Sequence, residues 1–326
     1  MTVILTGGCG FIGTNFVKKW LQTYTESLIN IDKLTYAANK ELSNISNVNY
    51  QFVKQDILNK QEILRLLRKY KPRAVIHLAA ETHVDRSIVA PIDFVNTNIN
   101  GTFSLLQATL EYYNCLDEKL KGRFKFLNIS TDEVYGSLEL DQEGFTEMSP
   151  ILPSSAYSAS KASADLLAYS FYKTYSLPVI TTRCSNNFGP FQNEEKFIPK
   201  IIKSILSGNK IPIYGNGKQI RDWIFVNDHV DALLLVLERG LIGSIYNIGG
   251  GVEITNIQLT KKIYNIVKKN YAVEIEELDK FLEYVEDRAG HDFRYAIQSK
   301  SIRDNLGWSP KFNFETALSD TINSYL

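Results

Sequence analysis

The first half of the chain alternates short, nearly continuous apolar runs with longer amphipathic stretches. The apolar runs predict buried strands, and the helical spacing of apolar residues between them predicts helices. The predicted strands are residues 3–6, 28–31, 50–53, 74–78, 124–130 and 179–183. The predicted helices are a first one ending near residue 22, then 57–70, 92–114 and 157–175. This alternation predicts an α/β fold, with a doubly wound parallel sheet covered by helices on both faces.

The pattern changes near residue 185, where shorter elements are separated by loops rich in Gly, Pro and Asn. These loops are residues 187–190, 212–217 and 248–251. We therefore expect residues 1–185 to form the large sheet domain, with residues 222–252 returning to it. Residues 186–326 are expected to form mainly a smaller α/β domain that covers the substrate.

Composition and charge exclude several functional classes. The 326 residues are 44% hydrophobic and carry 36 Lys+Arg against 36 Asp+Glu, so net charge gives no attraction to nucleic acid or anionic membranes. Three scattered cysteines and four histidines lack the spacing of a disulfide framework or a metal site. Without an apolar run of about 20 residues or a leader pattern, we expect no membrane span and a cytoplasmic location.

A glycine-rich loop, residues 7–13, lies directly between the first predicted strand and helix. Gly7, Gly10 and Gly13 recur every third residue, which allows a tight turn and close approach of a pyrophosphate to the helix N-terminus. Asp32 ends the second strand 32 − 13 = 19 residues later, where a carboxylate binds ribose hydroxyls and repels a 2′-phosphate. The sequence thus predicts a Rossmann site for NAD. Cys9, within the loop, is either simply a small residue or a thiol activated by the helix.

Tyr157 and Lys161 begin the last long predicted helix of the sheet domain. Residues four apart share one helix face, so the ammonium is expected to lower the pKa of the phenol and make it a general base. The alternative is an ordinary pair on a solvated helix. The preceding dinucleotide motif favours the catalytic interpretation.

Asp132 and Glu133 follow a strand that ends in Ser130-Thr131. If such neighbouring carboxylates are buried, each raises the pKa of the other, as an acid/base pair requires. The alternative is two solvated carboxylates in a loop.

Together these motifs resemble the extended short-chain dehydrogenases/reductases and, within them, the dTDP-glucose 4,6-dehydratases, over nearly the whole chain. Two small departures are Cys9 for the usual alanine and Ala289 where proline is common. The matching stretches are 7–13, 32–37, 77–87, 130–136, 157–161, 183–190, 219–223 and 287–292.

The resemblance implies an NAD-dependent lyase that makes a 4-keto-6-deoxy sugar, for example towards rhamnose. Tyr157 would deprotonate the hydroxyl on sugar carbon 4 while NAD takes the hydride, and Thr131 would hydrogen-bond that hydroxyl. Glu133 would remove the proton on carbon 5 and Asp132 would protonate the hydroxyl leaving carbon 6. NADH would return the hydride to carbon 6. Lys161 would also hold the nicotinamide ribose.

The resemblance also implies the binding residues and a homodimer. The implied NAD contacts are Gly7, Gly10, Phe11, Ile12, Gly13, Asp32, Lys33, Thr35, Asp56, Ile57, Leu78, Ala79, Ala80, Tyr157 and Lys161. The implied substrate contacts are His83, Asp85, Thr131, Asn186, Lys196, Arg221, Asn256 and Arg288, although each arginine could instead pair with neighbouring acids. The homodimer would pair helices 92–114 and 157–175, whose apolar residues include Leu105, Leu106, Leu110, Leu166, Leu167 and Phe171.

Three alternatives remain open at this point. The first is a dehydratase acting on UDP-glucose, since thymine and uracil differ by one methyl group. The second is another nucleotide-sugar epimerase or decarboxylase on the same scaffold, against which the Asp132-Glu133 doublet argues. The third is a catalytically silent NAD-binding sensor.

Overall fold

The computed structural model describes residues 1–271 and 277–325. Its strands are β1 (Thr2–Thr6), β2 (Ser27–Asp32), β3 (Tyr50–Lys54), β4 (Ala74–His77), β5 (Lys125–Thr131), β6 (Val179–Cys184), β7 (Asn186–Phe188), β8 (Ile211–Tyr214), β9 (Ile220–Phe225), β10 (Ile245–Ile248), β11 (Glu253–Thr255) and β12 (Leu282–Val285). Its α-helices are α1 (Phe11–Thr23), α2 (Lys60–Tyr70), α3 (Val84–Val89), α4 (Pro91–Phe94), α5 (Thr102–Asn114), α6 (Glu118–Lys121), α7 (Ala156–Tyr175), α8 (Phe197–Leu206), α9 (Val226–Arg239), α10 (Asn256–Asn270), α11 (Lys300–Leu306) and α12 (Phe314–Asn323).

The described residues contain a seven-stranded sheet in the order β10-β6-β5-β4-β1-β2-β3, with every pair of neighbours parallel. The order 3-2-1-4-5-6 of six of these strands, which runs inward from the edge strand β3, is that of a doubly wound dinucleotide-binding sheet. Along β1, Val3 and Leu5 pack into one apolar core with Phe16 and Trp20 of α1, whereas Ile4 packs into a second core on the opposite face. The predicted doubly wound α/β fold, buried on both faces, is confirmed.

The segment after β9 returns to this large sheet. Helix α9 packs against α1, and β10 extends the sheet beyond β6. The remaining elements form smaller sheets, one in the order β11-β9-β7 and one pairing β12 with β8. Helices α8 and α10 pack against each other beside them. The exact boundary between two domains stays a prediction.

Local sequence signals start the helices that carry the site. At the start of α7, Ser155 and Ser158 form a capping box, in which each side chain bonds the backbone N–H of the other. Thr255 and Gln258 do the same for α10. Such caps satisfy N–H groups that have no partner within the helix, and they fix where the first turn begins.

Most predicted elements match to within two residues, but three differ. The helix predicted over 57–70 begins at Lys60, because the Asn59 side chain accepts a hydrogen bond from Glu62 N and caps it there. The helix predicted over 92–114 contains a π-helical stretch, Val95–Gly101, between α4 and α5. The predicted loop at 212–217 contributes residues to β8. In the part of the chain that the structure describes, no helix combines the length and apolarity needed to cross a membrane.

Candidate active site

A cavity of about 400 Å³ opens where the carboxyl ends of β1, β2, β4 and β5 face the smaller sheets. This is the edge at which doubly wound sheets bind ligands, and the volume lies in the usual range for small-molecule sites. Nearly all residues expected to bind NAD or substrate line it. Of the expected residues, Thr131, Asp132 and Lys161 do not line the cavity and are buried.

The glycine loop has the geometry expected for binding a pyrophosphate. Gly7 has φ +74°, and a Cβ there would lie 2.5 Å from the backbone of Ala79. A Cβ on Gly13 would lie 2.4 Å from the Gly7 carbonyl oxygen. Helix α1 has no side-chain cap at Gly10 and no acid in its first turn. The N–H groups of this turn, which lines the cavity, therefore remain available to an anionic ligand. These residues fit the diphosphate of a dinucleotide.

Asp32 organises the loop and also lines the cavity. Its carboxylate accepts hydrogen bonds from the backbone N–H groups of Cys9 at 3.0 Å and Leu34 at 2.8 Å. Two oxygens provide about four acceptor sites, so capacity remains for ribose hydroxyls. Burial and the charge of Asp32 raise the pKa of the Cys9 thiol to about 12. The hypothesis of an activated Cys9 is therefore wrong, and this residue acts as a small buried side chain.

Tyr157 lies at the inner wall of the cavity, at the start of α7. Its hydroxyl is hydrogen-bonded with Thr131, and its ring meets Phe94 edge-on at 6.3 Å between centroids. Burial and nearby Glu133 raise the pKa of Tyr157, whereas the Lys161 ammonium donates to the Ile129 carbonyl oxygen at 2.7 Å. The expectation that Lys161 lowers the pKa of this phenol is therefore not met in this structure.

The two adjacent carboxylates occupy a short 3₁₀ turn, Asp132–Tyr135, which we call the acid turn. Asp132 is only 2% exposed, and its Oδ2 has no hydrogen-bond partner. Burial, Glu133 and Asp222 raise the pKa of Asp132 well above that of an ordinary aspartate. The alternative of two solvated carboxylates is wrong for this turn. This shift favours the protonated form of Asp132, which is the form that a general acid requires.

Glu133 faces a set of cations inside the cavity. Burial raises the pKa of Glu133, while Arg288, Arg221 and Lys196 oppose that shift. Lys196 also donates to the Thr82 carbonyl oxygen at 2.7 Å, which ties the smaller sheets to the loop after β4. Glu133 therefore remains the more readily ionised of the two acids, as a general base needs.

Arg221 is buried and makes no salt bridge with the neighbouring Asp222. Its Nη1 donates to the carbonyl oxygens of Ile220 at 2.7 Å and Phe293 at 3.3 Å, and its Nη2 to that of Asp292 at 3.0 Å. Nε–H and one Nη2–H are not used in these bonds. These two N–H groups can donate a pair of parallel hydrogen bonds to one oxyanion. A positive charge fixed by carbonyl groups suits an anionic diphosphate.

Arg288 likewise does not pair with the acids beside it in sequence. Its Nη1 lies 3.5 Å from Asp85 Oδ1, and its Nε has no partner among the described residues. Asp85 Oδ2 accepts from the Tyr214 hydroxyl at 3.1 Å. His83 Nε2 lies 3.7 Å from Glu195. Asn256 lines the cavity, and Asn186 Oδ1 is buried there without a partner.

Sequence reasoning missed a group beside the acid turn. The Tyr295 ring lies under the Arg221 guanidinium at 4.2 Å, and its hydroxyl donates to Asp292 Oδ2 at 2.5 Å. Tyr295 lines the cavity, and Asp222 is buried nearby with a pKa raised to about 6. Nothing in the spacing of these residues marks them, because Asp222 lies on β9 whereas Tyr295 comes from the segment between β12 and α11.

Three of the four histidines have lowered pKa values and hydrogen-bonded partners within the protein. His77 is buried and hydrogen-bonded with the hydroxyls of Thr6 at 2.8 Å and Thr102 at 2.9 Å, and burial lowers its pKa to about 3. His77 is therefore a core histidine whose two ring nitrogens both have partners. His229 is similarly buried against Asn187 with a pKa of about 3. His291 pairs with Asp287 and has a pKa of about 4.

Comparison with known proteins agrees with this geometry. The family model described as GDP-mannose 4,6 dehydratase matches residues 4–321. The chain is 47% identical to dTDP-glucose 4,6-dehydratase of Haemophilus influenzae, over 100% of this chain and 98% of that protein. The structure of the dTDP-glucose 4,6-dehydratase DesIV from Streptomyces venezuelae, solved with NAD bound, matches with a TM-score of 0.90 at 38% identity, covering 100% of this chain and 97% of that one.

A UDP-glucose 4-epimerase from Thermotoga maritima shares the fold at lower identity. It matches with a TM-score of 0.87 at 28% identity, covering 100% of this chain and 98% of that chain. The scaffold is therefore common to dehydratases and epimerases, and sequence identity separates them. The chain belongs to the dTDP-glucose 4,6-dehydratase family.

Proposed function

We propose that this protein converts dTDP-glucose into dTDP-4-keto-6-deoxyglucose and water with NAD as its cofactor. The observation that carries the proposal is the acid turn: a buried Asp132 with a raised pKa lies next to a Glu133 surrounded by cations, beside the Tyr157 phenol. Elimination of water needs one acid and one base in addition to the group that opens the reaction.

Each step has a residue of suitable chemistry. Tyr157, in its phenolate form, accepts the proton from the hydroxyl on carbon 4, and Thr131, which is hydrogen-bonded to Tyr157, holds that hydroxyl in place. The resulting ketone acidifies the proton on carbon 5, which Glu133 removes. Asp132 protonates the hydroxyl that leaves carbon 6 as water. Bound NAD would take up the hydride of carbon 4 and return it to carbon 6, and protonated Glu133 would give a proton back to carbon 5. The raised pKa of Asp132 favours its protonated form, and the cations around Glu133 favour its ionised form, as the elimination requires.

The substrate diphosphate lies against the cations of the smaller sheets. Arg221 offers its free guanidinium edge, and Arg288 and Lys196 add charge around the same space. Asn186 and Asn256 contribute amide groups, and His83 and Asp85 bound the entrance. We assign the dinucleotide to the glycine loop, Asp32 and the loops after β3 and β4, which include Asp56, Ile57 and residues 78–80.

A homodimer is part of the proposal. The apolar residues named from sequence, apart from Leu166, are buried or half-buried in the protomer's own core. Other apolar side chains stand exposed on segments that pack beside α7. These are Ile88, Val89, Ile92, Val95 and Phe103, joined by Leu166 and Tyr169 of α7 itself. Such an exposed apolar face suits a partner surface. Sedimentation of the protein as a monomer at micromolar concentration would contradict the dimer.

The cellular setting follows as a further proposal. Deoxysugar formation, for example towards rhamnose, uses nucleotide sugars. Cys9, Cys115 and Cys184 are all free thiols, which suits the reducing cytoplasm.

A side-by-side assay tests the function. The purified protein, with its bound cofactor released and identified, is incubated with dTDP-, UDP-, CDP- and GDP-hexoses. We expect NAD, and a 4-keto-6-deoxy product from dTDP-glucose, seen by its absorbance in alkali. A hexose epimerised without loss of water would favour the epimerase alternative, and tight NAD binding without any turnover would favour the sensor. Faster turnover of UDP-glucose would refute the dTDP preference.

A further inference from the structure

A buried chain of polar side chains extends from the helix that carries the phenol. Asp165 lies on α7, eight residues after Tyr157 and four after Lys161, and so on the same helix face. Its Oδ1 accepts from Asn128 Nδ2 at 3.0 Å, and its Oδ2 accepts from Arg183 Nε at 2.9 Å. The reactive face of α7 is thereby attached to both β5 and β6.

The chain continues to the acid turn. Arg183 Nη1 donates to the Tyr135 hydroxyl at 2.8 Å, and the guanidinium carbon lies 4.8 Å from the centre of that ring. Tyr135 is the last residue of the acid turn. Its hydroxyl donates to Asn247 Oδ1 at 2.8 Å, on β10. One guanidinium therefore joins the helix that carries Tyr157 to the turn that carries Asp132 and Glu133.

Stability alone does not account for this arrangement. Arg183 is 3% exposed and Asp165 is 4% exposed. A buried ion pair is generally no more stabilising than apolar residues of similar volume, because both charges lose their hydration. What such a pair provides is fixed geometry, since each group has a single well-bonded position.

We infer that Arg183 and Tyr135 are positioning residues that hold the acid turn at a fixed distance and angle from Tyr157. This inference rests on the proposed function, and neither side chain lines the cavity. The two parts of the reaction use different elements. Oxidation at carbon 4 depends on α7, whereas loss of water depends on the acid turn. Releasing the turn from Arg183 therefore slows elimination more than oxidation.

Tyr135→Phe tests this inference in the NAD-loaded enzyme under single turnover with dTDP-glucose. The change removes the hydroxyl that holds the turn and leaves the bonds between Arg183 and Asp165 in place. We expect NADH to appear at nearly the wild-type rate and water loss to slow by roughly ten- to a hundred-fold, because a small misplacement of reacting groups has an effect of this size. NADH, which stays at a low level in the wild-type enzyme, therefore accumulates in the variant and is measured by its absorbance.

Tyr112→Phe is the matched control. Tyr112 is also buried in the large domain and donates its hydroxyl to the Pro72 carbonyl oxygen at 3.1 Å, away from the site. The Tyr112→Phe substitution is expected to leave the rates of NADH formation and of water loss unchanged. If Tyr135→Phe does not fold, Arg183→Lys keeps a cation beside Asp165 but lacks the Nη1 donor to the Tyr135 hydroxyl, and it is expected to give the same imbalance.

Two contrary outcomes are distinguishable. Equal slowing of oxidation and water loss in the variant, or no change in either, would overturn the positioning role while the wild-type enzyme still turns over. A wild-type enzyme that forms no NADH with dTDP-glucose would refute the proposed function, and the inference with it.

Discussion

Asp132→Asn is expected to make the protein more stable and inactive in water loss. The Asp132 carboxyl is buried, and burial, Glu133 and Asp222 raise its pKa well above that of an ordinary aspartate, so folding favours its protonated form. Asparagine has nearly the same shape as the protonated acid, with an acceptor oxygen and, in place of the O–H, an NH2 group that carries two donors. It keeps the acceptor that receives the Thr131 hydroxyl at 3.3 Å.

The magnitude follows from proton linkage. Protonating an ordinary aspartate of pKa 3.9 at pH 7 costs about 4 kcal/mol, which is the ceiling of the penalty that asparagine removes. Allowing for relaxation around the new amide, we expect a gain of about 1–3 kcal/mol at pH 7.

The sign of the pH dependence is fixed by the raised pKa. Between the unfolded and folded pKa values the folded state holds more protons, so wild-type stability falls as pH rises through that window. The stability of the Asp132→Asn variant does not fall with pH in this window, because the amide does not titrate. The difference in unfolding free energy is therefore near zero below about pH 4 and grows towards neutral pH.

Equilibrium urea unfolding of both proteins, from pH 4 to pH 8 and without added ligands, measures this difference. Glu133→Gln is a useful companion, because the pKa of Glu133 is raised against three opposing cations and a smaller gain is expected. A variant that is less stable than wild type at pH 7, or a difference independent of pH, would mean that Asp132 is ionised in the folded protein. The acid role would then have no basis.

Three further predictions follow from the site. Tyr157→Phe is expected to prevent the first oxidation, so that single-turnover NADH absorbance never rises; NADH at the wild-type rate would exclude the phenol as base. Gly13→Ala places a Cβ 2.4 Å from the Gly7 carbonyl oxygen and is expected to yield folded protein with little bound NAD, measured by cofactor release and circular dichroism; full NAD content would contradict the loop geometry. Exposed Cys115 is expected to react with an alkylating agent at neutral pH while Cys9, with a pKa of about 12, does not, and peptide mass spectrometry showing both modified would contradict the burial of Cys9.

The sequence alone predicted those features of the site that depend on local spacing. The glycine loop, Asp32 and the Asp132-Glu133 doublet are each contiguous with a strand end, and strand order then brings them to one edge of the sheet. For the same reason, nearly all of the expected binding residues line the cavity.

Properties that depend on burial, or on residues far apart in the sequence, could not be predicted from the sequence. The pKa of Tyr157 follows desolvation and Glu133 rather than Lys161, and only the packed structure shows which dominates. Arg221 contacts Tyr295 and the backbone of residues 292–293, about 70 positions away. The start of α2 at Lys60 depended on a cap by Asn59 that apolar spacing does not reveal.

The central claim is that one hydrogen moves within the sugar, from carbon 4 to carbon 6, while water leaves. Turnover of dTDP-glucose carrying deuterium on carbon 4, followed by nuclear magnetic resonance of the product, tests this claim most directly. We predict a 4-keto-6-deoxy sugar that carries the deuterium on carbon 6. Deuterium lost to solvent, or retained on carbon 4 of a hexose that still has its 6-hydroxyl, would contradict it.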